Sequence, residues 1–334
     1  MNPPFDIVGI GAALVDTEIQ VADEDLRQLD IDKGVMTLCD ETTQQQYLQN
    51  LREHIGNANR ACGGSAANSM IALGSMNTKA FMFCKVAKDE DGDLFLSELT
   101  KAGLGYNRAE QQLEGTTGKC LVMITPDAER TMNTCLGISE SLSPENLELD
   151  VLDQAKFVYI EGYLATSETG LAAAIDLRKA AQERDVSVAL SLSDPGIVEY
   201  FRPQLKEILG SKVQMIFCNE AEALQWTNAQ DLDTAANMLK NDCDQFAVTL
   251  GAMGALCWDG TTMTKISAPK VDAVNTNGAG DMFAGCALAA LNQGYSLEQA
   301  AEFACIGAAE VVVQQGPRLA SDQYAVLAKK LECD

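Results

Sequence analysis

Short β-forming runs alternate along this chain with stretches of helical periodicity, and no other feature narrows the fold so far. Strands separated by segments long enough to cross a sheet face as helices form parallel βαβ units. The runs Phe5 to Ile10, Lys79 to Val86, Lys156 to Ile160, Val186 to Leu190, Val213 to Cys218 and Phe246 to Leu250 read as strands. Between them, Ser65 to Met76, Asp91 to Ala102, Glu168 to Arg184 and Leu232 to Lys240 read as helices. Their spacing fits right-handed crossovers, so a parallel sheet covered by helices is expected.

Two segments break the alternation. Leu14 to Val21 with Val35 to Leu38, and Lys119 to Thr125 with Arg130 to Cys135, read as strands without long helices between them. They are expected to pair into a small sheet outside the main one, a lid over its carboxyl edge formed by about residues 12–40 and 112–137. Beyond Leu250, a strand pair around Gly254 to Ile266 leads into two helices, Ala279 to Asn292 and Leu297 to Gln314. Neither an internal repeat nor a Ser/Gly/Pro-rich linker divides the chain, so 1–334 is expected to be one domain with a lid.

Composition excludes several function classes. With 24 Lys+Arg against 48 Asp+Glu the formal net charge is −24, which leaves no basic face for nucleic acid. Apolar stretches such as Ala284 to Leu291 fall far short of the ~18 residues of a membrane span. The start, Met1-Asn2-Pro3-Pro4-Phe5-Asp6, lacks the charged and apolar regions of a secretion signal, and a cytoplasmic protein is expected. The 11 cysteines are odd in number, form no C-x-x-C pair and sit mostly in apolar runs, as buried reduced thiols do. The single histidine, His54, excludes a poly-His metal site; it lies in a polar, helix-like run and reads as a surface residue.

Chemistry concentrates in Asp272 to Gly285. Two glycines there, Gly278 and Gly280, lead straight into a long apolar helix, and unpaired N–H groups at such a helix start can converge on an anion. Asp281, at the lip of that cradle, is a poor phosphate ligand but a suitable proton acceptor for a hydroxyl attacking a phosphoryl group. The competing reading is a carboxylate that only caps the helix.

The run Asn275-Thr276-Asn277-Gly278-Ala279-Gly280-Asp281 closely resembles the D-T-x-G-A-G-D signature of the ribokinase-like (PfkB) carbohydrate and nucleoside kinases. The resemblance implies a ribokinase-like three-layer α/β/α fold with a mainly parallel central sheet and a small β-sheet lid. It makes Asp281 the catalytic base, with the amides of Gly278, Ala279 and Gly280 as the anion hole. Asn275 stands where the family has Asp, near a monovalent-cation site of many relatives, so the departure bears on whether K+ is used.

Further segments match in the family's order. Cys62-Gly63-Gly64-Ser65-Ala66-Ala67-Asn68 resembles a G-G-x-x-x-N helix start, implying sugar-hydroxyl contacts from Gly63, Gly64 and Asn68; Asp16 resembles an early Asp that binds vicinal hydroxyls. A carboxylate accepts two such bonds, each stronger than a neutral one. Asn219-Glu220-Ala221-Glu222 resembles N-x-x-E, implying that Glu222 organises the water shell of Mg2+ near the ATP phosphates, an ion that takes few direct protein ligands. Thr249-Leu250-Gly251-Ala252-Met253-Gly254 resembles a T-x-G-x-x-G turn lying against ATP, and Arg130 an arginine that closes onto the transferring phosphate. Neither G-x-x-x-x-G-K-[ST] nor G-x-G-x-x-G occurs.

Within the family the stretches around Gly63, Tyr159 to Tyr163, Ser191 to Gly196 with Tyr200 and Phe201, and Thr276 to Asp281 look most like adenosine kinase. The implied reaction moves the γ-phosphate of ATP to a nucleoside 5′-hydroxyl, with Leu38, Leu136 and Met36 of the lid offering an apolar face to the base. The alternatives are a sugar kinase acting on ribose, fructose or 2-keto-3-deoxygluconate, and a catalytically silent nucleoside-binding regulator. The expected partner is a small molecule, with neither nucleic acid nor membrane, and the chain a monomer or homodimer.

Overall fold

Every β-forming run named above becomes a strand; those at the centre of the main sheet are buried on both faces and carry their apolar side chains alternately to the two sides. In this computed structural model, which describes residues 5–56, 58–107, 113–127 and 129–332, the strands are β1 (Ile7–Ile10), β2 (Leu14–Gln20), β3 (Met36–Leu38), β4 (Asn59–Gly63), β5 (Ala80–Phe83), β6 (Gly105–Tyr106), β7 (Gly118–Ile124), β8 (Arg130–Cys135), β9 (Phe157–Glu161), β10 (Ser187–Ser191), β11 (Val213–Asn219), β12 (Cys243–Thr249), β13 (Ala255–Trp258) and β14 (Met263–Ile266).

Nine strands form one sheet in the order β14-β13-β12-β11-β10-β9-β1-β5-β6. It is parallel from β6 to β12 and turns antiparallel only at the β12-β13-β14 edge. Ile7, Met82, Tyr159, Met215 and Ala247 point to one face, under the helices Ser65–Ser75, Ala279–Asn292 and Leu297–Val312. Their neighbours Val8, Phe83, Val158, Ile216 and Val248 point to the other, under Glu168–Gln182 and the shorter helices that follow. The mixed α/β architecture is thus three layers, as expected.

The chain leaves β1 in two directions, to β5 on one side and β9 on the other. Such a switch of strand order opens a crevice at the carboxyl ends of the strands, where open α/β sheets place ligands.

The other five strands form the expected small sheet, in the order β3-β8-β7-β2-β4. It differs from expectation in one strand. β4 pairs antiparallel with β2, Leu14 against Gly63 through Glu18 against Asn59, and lies outside both 12–40 and 112–137; its sequence Asn-Arg-Ala-Cys-Gly has no alternation to announce it. Gln112, one edge of the expected lid, and Ala128 lie outside the described residues. His54 is less solvated than its polar run suggested, with Nε2 3.4 Å from Asp25 Oδ2. Among the described residues the cysteines are all free and, apart from Cys39, buried, and no helix is long and apolar enough to cross a membrane.

Candidate active site

The crevice is organised by Glu161, the charged residue that ends the otherwise apolar β9. Its Oε1 accepts the Ala12 amide and its Oε2 the Ala66 amide, both at 2.7 Å. One carboxylate therefore ties the turn leaving β1 to the start of the helix Ser65–Ser75. Burial pushes this carboxyl up to about 7, against the pull of those two amides.

The approach of these turns is possible only with glycine. Gly64, at φ +87°, faces the Ala12 carbonyl oxygen so closely that a Cβ would overlap it, and a Cβ at Gly63 would fall on the Asp16 carboxylate. Asp16 sits on β2 opposite Ala61 of β4 and Cys120 of β7. It is buried, and burial first, then the nearby charge of Glu18, pushes its carboxyl up to about 7.

Ser65 and Asn68, one turn apart on the helix, both reach Asp281. Ser65 Oγ donates to Oδ1 at 2.7 Å and Asn68 Nδ2 to Oδ2 at 2.9 Å. Burial raises the Asp281 carboxyl, while Ser65, Asn68 and the charge of Arg130 oppose that rise. The buried Oδ1 of Asn68 has no hydrogen-bond partner within the protein, and Asn68 lines a pocket of about 80 Å³.

Asp281 lies in the first turn of the helix Ala279–Asn292, which Gly278 enters at φ +77° with its Cα against Pro317. The expectation of three unpaired amides needs one change: Ala279 donates to the Thr276 carbonyl at 3.3 Å. Space over Gly280 is open, with no atom within 4 Å of where its Cβ would stand.

Three cavities run in series past these residues. The first is lined by Asp16, Gly64, Asn68 and Asp281 on its polar side and by Met36, Leu38, Met132 and Leu136 of the small sheet on its apolar side. A second, of about 140 Å³, shares Ser65, Arg130 and Asp281 with it and continues to Gly278, Gly280, Glu222 and Thr249. A third, of about 330 Å³, shares Thr249 and Gly280 with the second. It holds Gly251 and Gly254 at one end and an apolar wall including Phe283, Ala308 and Val312.

Arg130, the first residue of β8, bridges the first two cavities, and its Nη1 donates to Asn277 Oδ1 at 3.3 Å. Glu222 is not the solvated acid of a helix start. It is buried in a capping box, both carboxylate oxygens accepting from Asn219 (3.0 Å from its N, 2.6 Å from Nδ2), and burial pushes it up to about 7. Gly254, at φ +97°, lets the turn after β12 close on the Ile266 carbonyl.

The sequence-derived residues thus converge, except Gly63, which lines none of these three cavities and lies against the Asp16 carboxylate. Tyr200 and Phe201 do not reach the site: Tyr200 is 73% exposed and Phe201 packs into the core. Sequence reasoning placed Glu161, Tyr163, Ser193 and Asn277 only within stretches that resemble the family, without individual roles, and gave none to Ser65 or buried Glu18; all but Glu18 line the first pocket. A charge closing an apolar strand was the available signal for Glu161; Glu18 carries none beyond its place two residues after Asp16.

Residues 35–323 match the family described as pfkB family carbohydrate kinase. An adenosine kinase from Sinorhizobium meliloti has a solved structure that superposes with a TM-score of 0.92 at 32% identity, covering 98% of this chain and 99% of that one. A probable sugar kinase protein from Rhizobium etli CFN 42 superposes with a TM-score of 0.91 at 33% identity over the same shares. Adenosine kinase of Schizophyllum commune is 28% identical over 352 residues, 97% of this chain and 99% of that protein. A family match over most of the chain, on a fold that brings the signature residues to one crevice, establishes that this chain belongs to the pfkB family of carbohydrate kinases, phosphotransferases with an alcohol group as acceptor.

Proposed function

We propose that the chain transfers the γ-phosphate of ATP to the 5′-hydroxyl of a nucleoside, with adenosine as the acceptor. The observation that carries this reading is the position of Asp281, among the described residues the one acid that lines both the lidded pocket and the cavity leading to Gly280 and Thr249. A hydroxyl presented from the first and a phosphate from the second would meet beside it.

In the reaction Asp281 takes the proton of the attacking hydroxyl, whose oxygen forms the new bond to phosphorus as the bond to the leaving ADP oxygen breaks. Ser65 and Asn68 hold the carboxylate in line. The first-turn amides at Gly278 and Gly280, with the Arg130 guanidinium, face the charge that develops on the transferring group. Asp16 and the unpartnered Asn68 Oδ1 suit the vicinal hydroxyls of a ribose, and the Met36, Leu38, Met132 and Leu136 wall suits a base. Gly251 and Gly254 let the backbone approach ATP against the apolar wall of the third cavity.

Mg2+ bound with ATP neutralises phosphate charge. Glu222, which lines the second cavity, would stand behind such an ion through water, since Mg2+ takes few direct protein ligands. K+ has no such support: the residue at its expected position is the neutral amide of Asn275, and no step above relies on it.

The small sheet acts as the lid. A pocket of about 80 Å³ is well below the ~300 Å³ of small-ligand sites, so admission of a nucleoside requires the sheet to lift. That small volume also favours the second reading, a free-sugar kinase. An ADP-release assay with ATP and Mg2+ over nucleosides and free sugars separates them. Turnover on adenosine and not on ribose, fructose or 2-keto-3-deoxygluconate is the expected result, and turnover on free sugars alone would overturn the acceptor.

A further inference from the structure

We infer that Glu18 is a positioning residue of the phosphoryl-transfer site, a carboxylate on the lid sheet that holds the loop entering the anion cradle and, through it, Arg130. The inference rests on the phosphoryl-transfer reading above. Glu18 follows Asp16 by two residues on β2, so both side chains leave the same face of the small sheet. It is buried, and Asn277 Nδ2 donates to its Oε1 at 2.8 Å, Asn275 Nδ2 to the same oxygen at 3.4 Å, and Asn59 Nδ2 to Oε2 at 3.4 Å. Among the described residues no lysine, arginine or histidine pairs with it. Three asparagine side chains are therefore the side-chain donors that meet this buried carboxyl group, which orients all three.

The chemistry of the acceptor fixes the rest. A carboxylate only accepts, so it turns the NH2 of Asn277 toward itself and leaves Asn277 Oδ1 to face Arg130 Nη1 at 3.3 Å. The Asn277 backbone N–H also donates to Asn275 Oδ1 at 2.9 Å, and Asn277 directly precedes Gly278. Lid strands β2 and β8 thus grip the cradle loop from two points, Glu18 and Arg130, through one asparagine. Asn275 belongs to the same unit. An aspartate there would set a second carboxylate against Glu18 in a buried place, where like charges cannot both ionise freely. The neutral residue at 275 and the acid at 18 are a matched pair.

The test is a set of double-mutant cycles on the full chain, read by steady-state kinetics on whichever acceptor the wild type turns over. E18Q keeps the volume but offers one acceptor oxygen and an NH2 to three donors. The expected result is a kcat lowered by about tenfold or more with KM for the acceptor within about twofold, because the reacting groups and not the ground-state contacts are misplaced. In an R130M background, adding E18Q is expected to lower kcat by less than about twofold, since the two act as one unit. N275D is expected to fall below E18Q, and E18Q/N275D to recover above N275D. If N275D does not fold, the E18Q and R130M cycle decides alone. A kcat for E18Q near wild type, or an equal loss in both arginine backgrounds, overturns the inference. A wild type inactive on nucleosides but active on a sugar overturns the acceptor assignment alone, and the Glu18 cycle is then read on that sugar.

Discussion

Asn68 donates its Nδ2 to Asp281 Oδ2 at 2.9 Å while its Oδ1, also buried, has no partner in the protein. One side chain thus holds the carboxylate proposed as the base and keeps a second polar atom without a protein partner beside the pocket that Asn68 lines. An acceptor hydroxyl that reached this oxygen would complete the amide and lie beside the carboxylate proposed to deprotonate it.

That relationship predicts the two roles separately. D281N removes the proton acceptor and retains the volume, so kcat is expected to fall by ~10²–10⁴-fold. The thermal melt should stay at or above that of the wild type, because burial already disfavours the charge at this position. A kcat within tenfold of wild type, from rapid-quench or ADP-release measurements, would show that another group takes the proton.

N68L tests the unpartnered oxygen. Leucine keeps the bulk and removes both contacts, so acceptor KM should rise and kcat fall together, whereas loss of a merely structural amide would leave KM unchanged. A side-chain hydrogen bond to a charged group contributes about 1.5–3 kcal/mol, which sets an expected loss of roughly ten- to hundredfold in kcat/KM.

The main sheet was legible because its strands are buried on both faces and separated by helices of clear periodicity; Ala279–Asn292 runs over the bounds its sequence predicts. The catalytic signature was legible because close backbone approach leaves only glycine at Gly278 and Gly64. What escaped was what tertiary pairing decides. β4 reads as a polar lead-in to a helix until β2 lies beside it. Glu161 and Glu18 carry their meaning in partners 149 and 259 residues away, Ala12 and Asn277, and no local pattern encodes such distances.

Asp16 predicts a pH dependence of substrate binding. Burial holds its carboxyl at about 7 in the ligand-free protein, and only the ionised form accepts hydrogen bonds from two hydroxyls at once. Acceptor KM should therefore rise as pH falls from 8 to 6, with the midpoint near 7, while D16N gives a high KM that is flat over this range. A pH-independent KM in the wild type would remove Asp16 from the hydroxyl contacts.

Glu161 predicts the pH dependence of stability. Its carboxyl stands at about 7 in the folded protein against an ordinary 4.5, so the folded chain holds a proton that the unfolded chain has released. Between these values the folded state binds more protons, and stability falls as pH rises through that window and levels off above it. At ~1.36 kcal/mol per unit the contribution is on the order of a few kcal/mol. E161Q cannot titrate, and with one acceptor oxygen it can satisfy only one of the Ala12 and Ala66 amides. Its urea-derived stability should lie below wild type near pH 5 and decline less steeply toward pH 8, narrowing the gap. A gap that widens with pH would mean that Glu161 is held ionised by those two amides, and that the turn after β1 is pinned to the Ser65 helix by a charge and not by a shared proton.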